Sequence, residues 1–294
     1  QNLLKYSNLT IVDNNSSKAI GQTSIYKKNK VQFFKDNIYN KKKIENIFKK
    51  KKFDFVIHCA ANFANQNSID HPRQDLNSNI TGTLNLLQLS NKYKIKKFIY
   101  LSSSCVYSSN LNLSEDSPLR PIETPYAISK FSAELYVEFF SSYYGLNSSI
   151  IRVFNTYGPG ELAHKYRNVI PRFINQALKN KDISITGTGN EIRDFTYVYD
   201  LLRIIKKILK DKKKFLIINS CTGKKTSINV LVEKIKKNFK SKSKIIKLPK
   251  RNWDKIKLRS GSIKKRKKFL SHSLVTPLDI GLRKTINWYK NNII

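Results

Sequence analysis

The sequence predicts an α/β protein built on a doubly wound parallel sheet, with a smaller lobe formed mainly by its C-terminal part. Three observations predict it. Short apolar runs near residues 9–13, 31–34, 53–61, 98–101 and 149–155 alternate with helical patterns near 41–52, 79–92 and 124–145. Two of these runs end in small or hydroxyl-bearing residues, Cys59-Ala60-Ala61 and Ser102-Ser103-Ser104. Beyond residue 156 the rhythm changes to a polar loop, short strand candidates and further helices.

Taken in order, residues 1–6 read as the tail of a helix, and residues 9–13 as a short strand closing on Asp13. An acid at that point suits the hydroxyls of an adenosine ribose, though an Asp closing a strand more often serves ordinary turn chemistry. A glycine-rich phosphate loop belongs about 20 residues earlier, which is before Gln1. Neither Gly-x-Gly-x-x-Gly nor Gly-x-x-Gly-x-x-Gly occurs in the chain, which also has no Met. The expectation is a fragment without its first strand and glycine-rich loop, binding a dinucleotide poorly and only marginally stable.

Residues 31–34 form a second strand, followed by Asp36-Asn37-Ile38, and residues 41–52 a basic amphipathic helix with Ile44, Ile47 and Phe48 inward. The strand at 53–58 runs into Ala60 and Ala61. Small residues there admit a flat ligand to the backbone, or simply permit tight helix–sheet packing. A helix over 79–92 carries Gly82 near its start for close packing. In the second half, residues 183–185, 195–198 and 215–218 read as strands and 168–179, 199–210 and 226–239 as helices. The basic run 264–268 reads as a solvated helix face. The expected division is a first domain at 1–155 and a lobe at 156–294, with about 195–223 returning to the first.

The stretch Thr124-Pro125-Tyr126-Ala127-Ile128-Ser129-Lys130 is the candidate centre of chemistry. Thr124 can cap a helix and Pro125 fits its first position. Phe131, Leu135 and Phe139 recur as a stripe expected to be buried, and Gly145 ends the helix. Residues four apart share a face, so Tyr126 and Lys130 project together. A nearby ammonium favours the phenolate, which would make Tyr126 a base near neutral pH. The same spacing recurs at Tyr26/Lys30, Tyr39/Lys43 and Tyr93/Lys97, so spacing alone means little in so lysine-rich a chain. Tyr126 differs because an apolar strand ending in three hydroxyls lies just upstream, where doubly wound proteins place their chemistry.

Composition bounds the rest. The chain has 294 residues, 40% hydrophobic content and no apolar run long enough to cross a membrane. Cys59, Cys105 and Cys221 have no metal-type spacing, and His58, His71, His164 and His272 make no ligand cluster. A reducing cytoplasm is the simplest compartment. The net charge of +36 suits a polyanion partner, or lysines on solvated faces. Their even spread and the lack of a nucleic-acid-binding motif favour the latter. Salt-sensitive, nonspecific adhesion to nucleic acid is expected, but no specific nucleic-acid partner.

An ordered set of motifs extends over nearly the whole chain. It includes Val12-Asp13-Asn14-Asn15, Ile57-His58-Cys59-Ala60-Ala61, Ser102 to Tyr107, Tyr126/Lys130, the run 152–160, the run 168–172, and Arg193-Asp194-Phe195. Together they resemble the extended short-chain dehydrogenase/reductases, the NAD-dependent epimerase/dehydratases of nucleotide sugars. The resemblance implies a Rossmann domain and a substrate lobe, with NAD as cofactor, a nucleotide-diphosphate sugar as substrate and a homodimer. It implies Ser103, Tyr126 and Lys130 as catalytic residues. It implies NAD contacts at Asp13, Asn14, Asn37, Ile38, Ala60, Ala61, Asn79, Tyr126, Lys130 and Phe154. Ser103, Ser104, Asn155, Asn168, Arg193 and Arg251 would hold the substrate. Ser104-Cys105 stands where the family's dehydratases carry an acid pair, which argues against dehydration. Cys105 resembles the cysteine of GDP-fucose synthases, but Asn168 stands where those carry a histidine, as in UDP-sugar 4-epimerases. The reaction implied first is therefore 4-epimerisation of a UDP-sugar. Dehydration, decarboxylation or reduction on the same fold is the alternative, and a non-catalytic nucleic-acid-binding or scaffold protein is the rival of another class.

Overall fold

The computed structural model describes residues 7–16, 31–166, 168–271 and 275–293. The helix read at residues 1–6, the Tyr26/Lys30 pair and His272 lie outside them. The strands are β1 Thr10–Val12, β2 Gln32–Phe34, β3 Phe55–His58, β4 Lys97–Ser103, β5 Asn110–Leu113, β6 Ser148–Val153 and β7 Thr156–Tyr157. They continue with β8 Ile183–Thr186, β9 Ile192–Arg193, β10 Thr196–Tyr197, β11 Phe215–Ser220, β12 Thr226–Ser227, β13 Ile245–Leu248 and β14 Leu258–Gly261. The α-helices are α1 Lys41–Lys50, α2 Asn65–Asp70, α3 Pro72–Asp75, α4 Gly82–Lys92, α5 Pro125–Tyr143, α6 Val169–Leu178, α7 Val198–Lys210, α8 Ile228–Phe239, α9 Lys264–Leu270 and α10 Leu278–Ile293.

The central sheet is parallel in the order β11-β6-β4-β3. β1 and β2 form a separate parallel pair. On one face α1, α4 and α5 pack through Ile44, Phe48, Leu87, Ala133 and Val137 against Phe98, Tyr100 and Ile150. On the other, α7 presents Ile204, Ile205 and Ile208 to Ile99, Ile151 and Ile218. Helices on both faces explain why β4 and β6 are buried almost throughout. A second core joins α6, α8 and α10 with β8. A smaller sheet, β12-β9-β14-β5, includes β5 from the first half of the chain.

α5 begins as read. Thr124 Oγ1 accepts from the Ala127 N–H at 3.3 Å, and Gly145 adopts φ +70° just beyond the helix. Its buried face differs from the expectation. Tyr126, Lys130, Ala133, Val137 and Phe140 face inward, whereas Leu135 and Phe139 are 53% and 47% exposed. The helix is apolar on two faces, and the sheet takes the one with the small Ala133. Gly82 behaves as read: a Cβ there would lie 2.5 Å from Ile38 Cδ1. In the basic run, Arg266 is the buried residue of α9 while the lysines around it are exposed.

Candidate active site

Parallel strands of a doubly wound sheet open a crevice at their C-terminal ends. Here that crevice is a cleft of about 1240 Å³ between the sheet and the second core. Asp13, Asn14, Asn37 and Ile38 line it beyond β1 and β2, Ala60 and Ala61 beyond β3, and Ser103, Ser104, Tyr126 and Lys130 form its floor at the end of β4 and the start of α5. Asn155, Asn168, Arg193 and Arg251, from the second half of the chain, also line it. Most of the residues singled out in the sequence therefore meet in one cavity.

Two do not line it. Phe154 is fully buried, packing with Val106, Tyr107, Leu113 and Cys221. The chain alternates sides as it leaves β6, so Val153 and Asn155 face the cleft and Phe154 faces away. Asn79 is also buried. Its side chain accepts from the Asn62 N–H at 2.8 Å and donates to Asp75 Oδ1 at 2.8 Å and Ser129 Oγ at 3.0 Å. Those bonds occupy it in shaping the loop after β3.

At the floor, Ser103 ends β4. Its Oγ accepts from the Cys105 N–H at 3.1 Å, and both Ser103 and Tyr126 line the cleft. Phe63 packs edge-on to the Tyr126 ring at 6.0 Å. Lys130 Nζ donates to the Leu101 carbonyl at 2.6 Å and lies 4.5 Å from the centre of the Tyr100 ring. Burial, more than any other cause, lowers the Lys130 ammonium to about 8. Burial likewise drives the Tyr126 phenol well above its ordinary value, against the downward pull of Ser103. This differs from the expectation that Lys130 makes Tyr126 acidic, because the ammonium is turned to a carbonyl and a ring face. Asp75, beneath the same helix, is raised to about 6, again by burial first.

A buried polar layer holds the floor in place. Arg152 on β6 meets Glu134 on α5 in a two-pronged pair at 2.8–3.1 Å, each side chain under 5% exposed. Arg152 Nη1 also donates to the Tyr107 hydroxyl at 2.9 Å, which donates to Asn219 Oδ1 at 2.9 Å. Asp194 accepts from the Thr222 hydroxyl at 2.6 Å and from the Thr222, Gly223 and Gly261 N–H groups at 2.8–3.3 Å, tying β9–β10 to β11 and β14.

Sequence reasoning missed several lining residues. Trp253 Nε1 donates to Gln66 Oε1 at 2.6 Å, Gln66 Nε2 donates to Asp70 Oδ1 at 2.8 Å, and the Tyr166 hydroxyl donates to Asp70 Oδ2 at 2.9 Å. This chain of bonds joins the loops around 166 and 253 to α2 beside the cleft. Arg251 stacks over Trp253 at 5.6 Å. Arg193 donates to the Ile192, Ile256 and Lys257 carbonyls and lies 3.5 Å from Asp254. Arg259 also lines the cleft. Trp253 and Arg259 fall in a lysine-rich stretch without periodicity, so only the fold singles them out.

Residues 3–219 match the model of the NAD dependent epimerase/dehydratase family. The chain belongs to that family. It is 35% identical over 268 residues to a UDP-glucuronate 4-epimerase of Thermodesulfobacterium geofontis, spanning 89% of this chain and 80% of that one. A dTDP-D-glucose 4,6-dehydratase of Dictyostelium discoideum is 38% identical over 192 residues, 61% of this chain and 43% of that one. The solved UDP-glucose 4-epimerase of Thermotoga maritima, with UDP-glucose, superposes with a TM-score of 0.93 at 28% identity, covering 100% of this chain and 94% of that one. The family's cofactor is NAD. No helix among the described residues is long and apolar enough to cross a membrane, and no cluster among them could hold a metal ion.

Proposed function

We propose that this family member is a UDP-sugar 4-epimerase. The carrying observation is that Ser103, at the end of β4, and Tyr126 and Lys130, one turn apart on α5, meet in one cleft. The donor set fits NAD. Asp13, Asn14 and Asn37 line the cleft beyond β1 and β2, Ala60 and Ala61 line it beyond β3 where a flat ring could approach, and Lys130 would meet the nicotinamide ribose. Bound NAD would supply the hydride acceptor at C4 and the donor for its return to the other face.

The chain's own residues handle the proton and the pose. Tyr126 takes the proton of the C4 hydroxyl, and Ser103 shares that hydrogen bond and orients the oxygen. Tyr126 rests as a phenol because burial raises it. That form suits the second half of the cycle, when the proton goes back. Lys130 is the cation that α5 carries on this face, and turning its ammonium from the Leu101 carbonyl to the phenolate would stabilise the first half. Arg193 and Arg251, with Asn155 and Asn168, would hold the diphosphate, for which a planar fork of donors is suited. Ser104 and Cys105 offer no carboxylate to expel water from the sugar, which favours epimerisation over dehydration.

The purified protein with NAD should interconvert UDP-glucose and UDP-galactose, or their N-acetyl or uronic acid counterparts, and Tyr126→Phe should cut kcat by about 10²–10⁴-fold. No conversion of any pair by NAD-loaded protein would sink this reading. Sequence-selective, salt-resistant nucleic-acid binding without turnover would favour a non-catalytic role. The exposed stripe of Ile128, Leu135, Phe139 and Tyr143 on α5 supports a homodimer through that helix. Leu135→Glu with Phe139→Glu should then halve the mass seen by sedimentation, and a monomeric wild type would refute the pairing.

A further inference from the structure

Arg259 stands out among the buried arginines. It is 7% exposed, yet no carboxylate lies within ion-pair distance of it among the described residues. Its Nη2 donates to the Tyr107 carbonyl at 2.9 Å and its Nη1 to Cys105 Sγ, a weak acceptor, at 3.5 Å. Its Nε is buried without a partner. Arg193 adds repulsion rather than relief. The contrast with Arg152 is direct, since that guanidinium is matched by both oxygens of Glu134. Arg266 also has orphan nitrogens, but it lies away from the cleft and feels the charges of Asp200 and Asp194. Burying an unmatched cation is costly, and a ligand anion in the cleft would remove that cost.

The position of Arg259 narrows the kind of anion. The residue lines the cleft beside Cys105, whose N–H is bonded to Ser103 Oγ. It therefore belongs to the reacting end of the cavity. The carbon next to C4 in a hexuronic acid carries the carboxylate. A substrate with its C4 hydroxyl on Ser103 and Tyr126 brings that carboxylate to the same end. A neutral hydroxymethyl group there would leave the guanidinium unmatched.

We propose that Arg259, beside Cys105, is a specificity-determining residue that selects a nucleotide sugar carrying a carboxylate on the carbon adjacent to C4, a uronic acid. The assignment rests on the C4 reading of the site given above. Cys105 offers only a weak sulfur acceptor, which leaves the guanidinium free to meet the substrate.

Binding can be measured apart from turnover. Titration calorimetry on NAD-loaded wild type should show UDP-glucuronate binding about 10- to 100-fold more tightly than UDP-glucose, the range expected for a hydrogen-bonded charge pair. Arg259→Gln should erase that preference while leaving the affinity for UDP-glucose and for UDP alone within about threefold. Arg259→Lys, which keeps the charge but not the fork, should restore part of it. If the wild type binds UDP-glucose as tightly as UDP-glucuronate, the proposal is overturned without any reference to the variants. An equal loss of UDP alone in Arg259→Gln would place the arginine on the diphosphate and overturn it too. Tight, Arg259-dependent uronate binding without C4 inversion would overturn the epimerase reading and leave the carboxylate site standing.

Discussion

Replacing Asp75 with Asn should stabilise the protein near neutral pH and do little in mild acid. Asp75 is buried beneath α5, and its carboxyl is raised from 3.8 to about 6, by burial first. The folded chain thus holds this proton more tightly than the unfolded chain. Stability contributed by the protonated form is complete below about pH 4 and is lost as pH rises through about 6. Two pH units correspond to about 3 kcal/mol at full weight, and water reaching the edge of the cleft reduces this to about 1–2 kcal/mol. Asn cannot ionise, yet its oxygen can still accept from Asn79 Nδ2, the bond now at 2.8 Å. Urea denaturation followed by circular dichroism should show the variant ahead by about 1–2 kcal/mol at pH 7.5 and level with wild type at pH 4. The Asp75 charge also holds Tyr126 and Lys130 up, so the rising limb of the pH–rate profile should move to lower pH in the variant. A variant less stable than wild type at both pH values, or a gain that does not depend on pH, would refute the reasoning.

Glu134→Gln leaves the Arg152 guanidinium buried without its counter-ion and should cost about 3–5 kcal/mol; a loss under about 1 kcal/mol in the same denaturation assay would show that Tyr107 and the Glu115 carbonyl suffice. Trp253→Phe removes the donor to Gln66 and with it one link between the 253 loop and α2. It should raise KM for the nucleotide sugar several-fold and leave stability within about 1 kcal/mol. An unchanged KM would mean that this bond does not help to hold the cleft closed on its ligand.

Much of the first half of the fold was legible because a strand buried on both faces reads as a continuous apolar run, as in Ile99-Tyr100-Leu101, while α1 shows its inward Ile44, Ile47 and Phe48 at helical spacing. α5 was legible in its limits but not in its orientation. A helix apolar on two faces offers two stripes, and spacing alone does not say which one meets the sheet, so Leu135 and Phe139 were misplaced. The cleft residues at strand ends could be read from the order of the motifs. Phe154 could not, because a one-residue alternation past the end of β6 decides which side it faces. The Tyr126 environment was misjudged because sequence spacing brings Lys130 to the same helix face but does not reveal that its ammonium turns to the Leu101 carbonyl. Arg259 was invisible among so many basic residues. Its meaning depends on the absence of a nearby carboxylate among the described residues.

In the proposed reaction Tyr126 moves a proton at C4 while the hydrogen on that carbon leaves and comes back. UDP-glucuronate and UDP-glucose, each deuterated at C4, should be incubated with the NAD-loaded protein and the products resolved by mass and NMR. The expected product has the inverted C4 centre, an unchanged mass and the deuterium still on C4, and Tyr126→Phe should form it far more slowly. A product lighter by one water or one carbon dioxide, or a label moved from C4 to another carbon or to solvent, would contradict the account.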